Sequence, residues 1–318
     1  MEFMSSCRPS TSVLSFSMRE NLDEIRNVLA SKCGINSVHK SSHWNFQIQK
    51  FAITNNRISN IDGFGSTSKR NFITQKLHQR AQKRLLKNLF DTNSKYYASA
   101  LALTKKQNRG LDYDVMRHVL TFEFLDRRKI LQQVDNCCVI GDGRSNFVSL
   151  AILSSQFRKI VSVNLPEILL SDLDNLEKIV EGKGIRLAES KESLKLLLQV
   201  VETRVILVQA EQSSLLHETN MDLFVNIASF QEMNPEVVNA YFEIVQSNGS
   251  YLYCCNREKK VLKGGEVLDF FSWPWMGSRV IVDELCPWYR KFYDFRSLIL
   301  YRERYFDGSV RHRLVKFD

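Results

Sequence analysis

Residues 134–167 read VDNCCVIGDGRSNFVSLAILSSQFRKIVSVNLPE. An apolar run breaks at a tight glycine turn, a helically spaced segment follows, and a second apolar run stops at Asn164 and Pro166. Short apolar runs bounded by turn residues and separated by about ten helically spaced residues mark a strand, a crossover helix and a parallel strand. Gly141 and Gly143 fall where the first strand turns into the helix. Without a Cβ, each lets the backbone approach a ligand closely and adopt dihedrals other residues avoid. A nucleotide-like ligand fits across such a helix start, although the same turn also occurs in α/β domains that bind none. Asn164 ends the second strand 21 residues after Gly143, near the spacing of about 20 at which an acid meets a ribose hydroxyl in dinucleotide-binding units. The position fits but the carboxylate is missing. Ser145 likewise stands where a third glycine is expected, and Val139 where the strand usually carries an acid.

Downstream the alternation continues. A helical pattern runs from Glu167 to about Val180 and another from Lys191 to Val201, with buried strands expected at 204–209 (RVILVQ), 221–229 (MDLFVNIAS) and 250–255. Pro235 opens a helix between the last two, since proline is well placed in a first turn. Strands alternating with helices imply a doubly wound, mostly parallel sheet covered on both faces. Aromatic residues crowd the last sixty positions. There the pattern predicts a strand over 295–305, the Asp307-Gly308 turn and a short final strand, an antiparallel hairpin that closes the sheet.

Upstream, residues 1–18 read as a flexible tail, 19–110 as a mainly helical N-terminal region and 111–318 as the α/β domain. Helices are expected from Leu22, over 96–106 and over 115–131, broken at Asn108-Arg109-Gly110; the spacing over 44–61 fits short strands or irregular structure equally. Leu77, Ala81, Leu85 and Leu89 recur every four residues in a segment (69–90) that carries many Lys and Arg and no acid. Such a helix either binds nucleic acid or docks by its leucines with its charges in water.

The whole chain has 318 residues, 44% of them hydrophobic and 25% charged, with a formal charge of +9. These values describe a folded globular protein and exclude disordered or fibrous architecture. The basic balance favours anionic partners without choosing among nucleic acid, membrane surface and acidic small molecule. No apolar run reaches the roughly 18 residues a membrane span needs, and no signal peptide is evident, so the cytosol is the expected compartment. Seven cysteines, two pairs of them adjacent within strands, are expected to be reduced core residues. The histidines show no zinc-type spacing, so no metal site is expected.

VSVNLPEIL resembles the "DLPE" stretch, and DLFVNIASFQEMNPEVVNAYF followed by CCNRE resembles the "N..SFQEM...YF...N" stretch, of the sugar O-methyltransferase family within the class I S-adenosylmethionine-dependent methyltransferase fold. The resemblance spans roughly residues 95–305 and is strongest over 134–257. It implies S-adenosylmethionine as cofactor, with Gly141, Asp142 and Gly143 beside the methionine end, Asn164 beside the ribose, Gln209 and Ala210 near the adenine, and Ser229 at the edge after the fourth strand. A sugar hydroxyl is the implied acceptor, free, nucleotide-linked or glycan-linked. Just beyond the fourth strand, Gln231 is a candidate substrate contact and Glu232 is either the base or an acid favoured by the dipole of the following helix; Trp273 either stacks on the sugar or packs in the core. An amide at 164 offers one acceptor oxygen where a carboxylate accepts from both ribose hydroxyls, so weaker cofactor binding is expected. Two other readings fit the residues. One is an NAD-dependent sugar-modifying enzyme; the other is a methyltransferase-like scaffold with a degenerate cofactor site that binds nucleic acid or a protein through the basic segment. The oligomeric state is not legible.

Overall fold

The computed structural model describes residues 22–59, 91–180, 184–295 and 301–318, together with 76, 77, 80, 86 and 89. The tail at 1–18 lies outside the described residues, and the basic segment 69–90 does so almost entirely. Helix α1 (Leu22–Lys32) leads to α2 (Ser42–Ile48), which Ser41 caps by accepting from the Trp44 amide. A hairpin follows, β1 (Ala52–Thr54) and β2 (Arg57–Ser59). Asn55 and Asn56 turn it with φ of 51° and 56°, the left-handed pair that suits the twist of a two-residue hairpin. Of the stretch 44–61, the described residues 44–59 are thus the rest of a helix and a hairpin, and the helical part was hidden by its shortness.

Helices α3 (Lys95–Lys106) and α4 (Tyr113–Arg127) each begin at a capping side chain, Ser94 and Asp112, that accepts from the amide three residues on. These caps satisfy amides that no helical carbonyl can reach. Then comes the expected unit: β3 (Asn136–Ile140), α5 (Asn146–Leu153) and β4 (Lys159–Asn164), with β3 and β4 adjacent and parallel. The chain continues through α6 (Pro166–Val180), β5 (Ile185–Leu187), α7 (Lys191–Gln199), β6 (Val205–Gln209), β7 (Leu223–Ile227), α8 (Pro235–Ser247) and β8 (Tyr251–Arg257). A small ribbon, β9 (Lys259–Val261) with β10 (Val267–Asp269), precedes β11 (Ser278–Leu285), β12 (Lys291–Phe295), β13 (Tyr301–Tyr305) and β14 (Val310–Phe317).

The described residues form an eight-stranded sheet in the order β11-β14-β8-β7-β3-β4-β6-β5. From β5 to β8 every pairing is parallel, while β14 is antiparallel to both β8 and β11. This is the doubly wound Rossmann-like architecture expected. The C-terminal detail corrects the reading. The last strand is eight residues long and pairs with β8 and β11, whereas 301–305 pairs with 291–295 in a separate ribbon. β11 escaped notice because it is a sheet edge, where charges such as Arg279, Asp283 and Glu284 keep the unpaired backbone from aggregating and erase the apolar run. β5, three residues long at the opposite edge, was missed for its length.

Both faces of the sheet are covered, and side chains alternate between them. Cys137, Val139, Val225 and Cys255 enter the core beneath α1, α3, α4, α5 and α6; Cys138, Ile140, Phe224 and Cys254 enter the core beneath α7, α8 and the 262–275 segment. The described cysteines are free thiols, and within each adjacent pair the two side chains point to opposite faces of the sheet. Tyr96, Phe122 and Phe147 stack in series, with centroid separations of 5.2 and 4.3 Å, and so join α3, α4 and α5. Ile25 and Leu29 of α1 belong to the same core.

Candidate functional site

β4 and β7 leave β3 on opposite sides, which makes the carboxyl edge of β3 the switch point where open α/β sheets bind ligands. The backbone there is shaped by Gly141. Its φ is +73°, and a Cβ on it would lie 1.9 Å from the Ser229 Oγ. Its amide donates to the Val163 carbonyl at 2.9 Å. The turn after β3 therefore packs directly on the turn after β7. Arg144 and Ser145 follow with φ of 64° and 51°, so the position expected to hold a third glycine does adopt the left-handed conformation, at a cost of about 1–2 kcal/mol for a residue with a Cβ. Asp142 points inward. Its carboxylate accepts from the Phe147 amide at 3.1 Å and the Val148 amide at 2.8 Å, capping α5. Burial pushes its pKa up to about 6, against the pull of those amides.

Asn164, at the end of β4, faces the same edge. Its Nδ2 donates to the Asp172 Oδ2 at 3.3 Å and its Oδ1 accepts from the Leu165 amide. Asp172 is fully buried, and burial followed by the nearby charge of Asp142 pushes its pKa well up. A carboxylate at 164 would add a third acid to this cluster, which gives a physical reason for the amide. After β6, Ala210 lies at the edge, whereas Gln209 is turned into the protein and donates to Gln212 at 3.2 Å.

The turn after β7 is held by two fully buried asparagines. Asn226 Nδ2 donates to the Ile140 carbonyl, and its Oδ1 accepts from the Phe230 amide and from Asn256 Nδ2. The Asn256 Oδ1 accepts from the Gln231 amide, and the Gln231 Oε1 accepts from the Arg257 amide. Asn226 and Asn256 thus rivet β3, β7 and β8 together beneath the SFQEM turn. Ala228, at φ 60°, swings that turn outward. Glu232 accepts from the Lys260 Nζ at 2.9 Å, and its other oxygen lies 3.5 Å from His43 Nε2. Burial lowers the pKa of His43, which favours its neutral form.

A segment between α1 and α2 covers this edge, pinned at successive strand ends. Lys40 Nζ pairs with Glu167 at 2.7 Å, both nearly inaccessible, and Gly34 donates its amide to the same oxygen. Ser37 donates to Glu211, Ser41 to the Glu232 carbonyl and Ser42 to Glu266. Beneath it lies a cavity of about 210 Å³.

Gly141, Gly143, Asn164, Ala210, Ser229, Gln231 and Glu232 all line this cavity. Asp142 and Gln209 stand behind it. Trp273 is placed elsewhere, 6% exposed in the core, edge-on to Phe230 at 5.7 Å. Sequence reasoning missed His39, Trp44, Arg117, Arg257 and Tyr289 in the wall. Of these, Arg257 alone carried a signal, as the residue after Asn256 in the CCNRE string. Among the described residues no three His, Cys, Asp or Glu side chains gather as a metal ligand set, and no helix is long and apolar enough to cross a membrane.

No protein-family profile matches the sequence, and no curated protein is similar to it at the sequence level. The structure is similar to several solved methyltransferases. One is an S-adenosylmethionine-dependent methyltransferase from Clostridium acetobutylicum (10% identity, 61% of this chain and 89% of that chain, TM-score 0.39). Another is the M1A22 tRNA methyltransferase of B. subtilis (10% identity, 60% and 64%, TM-score 0.34). A third is the methyltransferase domain of bacterial CtHen1 (15% identity, 63% and 97%, TM-score 0.38).

Proposed function

We propose that this chain is an S-adenosylmethionine-dependent methyltransferase whose acceptor is a sugar hydroxyl. The observation that carries the reading is the contact of Gly141 with Ser229: the glycine turn and the SFQEM turn share one wall, so a cofactor over the first and an acceptor over the second meet in one cavity. The residues fit the cofactor. Gly143 borders the cavity without a side chain to fill it, Asn164 offers an amide oxygen to the ribose, and Ala210 leaves room for the base. When bound, the cofactor supplies an electrophilic methyl group on a sulfonium. The chain has then to align a hydroxyl with that methyl and take up its proton. Glu232 is the carboxylate placed to accept it, and Lys260 and His43 fix its orientation. The 34–45 segment, with Trp44 in the cavity wall, limits water at the reacting centre.

Calorimetry with S-adenosylmethionine and with NAD tests the cofactor. A screen of sugars and nucleotide sugars for release of S-adenosylhomocysteine tests the reaction. Binding of NAD with none of S-adenosylmethionine would overturn the reading in favour of a sugar dehydrogenase.

A further inference from the structure

One wall of the cavity has been given no role in the proposed reaction. Arg117 of α4, Arg257 at the end of β8 and Tyr289 of the 287–289 turn all line it. The Arg117 guanidinium sits 5.3 Å from the centroid of the Tyr289 ring, and its NH1 lies 3.3 Å from Asp114. The Arg117 Nε and the Tyr289 hydroxyl are both buried without a hydrogen-bond partner; Tyr289 is 5% exposed. Arg257 reaches Asp307 at 3.6 Å, and that acid is 98% exposed. A surface ion pair at that distance holds a guanidinium weakly. Buried donors left unpaired are costly, so native structures seldom keep them without a ligand or water to receive them.

We infer that Arg117, Arg257 and Tyr289 form a subsite for an anionic group, a carboxylate or phosphate, carried by the acceptor. The inference rests on the methyl-transfer reading and deepens it. Guanidinium groups match the planar oxygens of such anions and bind them with charge-assisted hydrogen bonds. Burial raises the pKa of Tyr289, which keeps its hydroxyl a donor. The acceptor is the expected owner of the anion because of the strand order: β8 lies beyond β7, on the far side of β3 from β4 and β6, whose ends serve the ribose and base. The chain's +9 charge draws such acceptors in.

Arg117 also borders the small pocket beside Gly141 and Gly143, so the carboxylate of the cofactor's methionine is a second source of the same chemistry. The experiment separates the two. Protein loaded with S-adenosylhomocysteine is titrated calorimetrically with glucose, glucuronate and glucose 1-phosphate. At least one of the acidic probes is expected to bind about tenfold or more tightly than glucose. Arg257→Met should weaken that probe about ten- to hundredfold, the usual worth of a charge-assisted hydrogen bond, with the thermal midpoint of the variant near wild type. Equal affinities, or binding of none of the three probes, overturn the inference. In the second arm, Arg117→Met is titrated with S-adenosylmethionine and with 5′-methylthioadenosine, which lacks the carboxylate. Equal, unchanged affinities support the acceptor subsite; selective loss of S-adenosylmethionine binding assigns Arg117 to the cofactor and overturns its part in it. Failure of the wild type to bind S-adenosylmethionine at all would instead undo the methyl-transfer reading itself.

Discussion

Gly141→Ala tests the contact on which the site is built. The added Cβ would lie 1.9 Å from the Ser229 Oγ, 2.5 Å from the Ser229 Cβ and 3.6 Å from the Met233 Cε, at a residue whose φ is +73°. The left-handed conformation costs an alanine about 1–2 kcal/mol. Forcing the two turns apart costs about 1–3 kcal/mol more, as overpacking does elsewhere. The expected loss is thus about 2–5 kcal/mol, measured by urea denaturation with cofactor affinity read in parallel. The two parts separate in a double-mutant cycle. Ser229→Gly removes both close atoms and should return about 1–3 kcal/mol to the Gly141→Ala background, leaving the conformational part. Ser229→Ala should return far less, because the Cβ at 2.5 Å remains. A loss below about 0.5 kcal/mol for Gly141→Ala, or equal rescue by glycine and alanine at 229, would show that the turns are not in contact and that the shared wall does not exist.

Asp142 makes stability fall with pH: its folded pKa of about 6 lies above the ordinary carboxylate value of 3.8, so its contribution is whole below about pH 4 and is lost as pH rises through 6. The drop amounts to about 3 kcal/mol, and Asp142→Asn should remove it from a denaturation series at pH 4 to 7; an unaltered slope would show that Asp142 is not buried as described. Lys40→Met strands the inaccessible Glu167 carboxylate and should cost about 3–5 kcal/mol, whereas a cost under about 1 kcal/mol would mean that the covering segment is not anchored there. Glu232→Gln should lower turnover by about 10²-fold while cofactor affinity stays level; full activity would remove Glu232 from proton transfer.

Strands buried on both faces announce themselves, which is why β3, β4, β6, β7 and β8 were legible as apolar runs between turns. The edge strands were not, since β11 must look polar to stay unpaired. The edge that lines the cavity was legible where position along a strand decides it: Gly141, Asn164, Ala210 and Ser229 each end or follow a strand that reads clearly. Its other half is made by residues far apart in sequence, such as Lys40 and Glu167, 127 positions apart, or Arg117 and Tyr289. No local pattern records such meetings. Trp273 shows a related limit, because aromatic composition is the same for a core and for a sugar platform, and packing on Phe230 assigned it to the core. Asn164 is the reverse case: its departure from the template acquired a reason once Asp172 was seen behind it.

The paired cysteines of the central strands also make the molecule a two-channel recorder of its own opening. Cys137 and Cys255 belong to one layer of the sandwich, Cys138 and Cys254 to the other, and burial pushes the pKa of Cys137, Cys138 and Cys254 upward, so none reacts until its own layer lifts. Thiol labelling followed by mass spectrometry can therefore time the exposure of each layer separately, residue by residue along a single strand. Cooperative units seldom share one opening free energy, and here adjacent atoms of the same backbone would read the difference without any substitution.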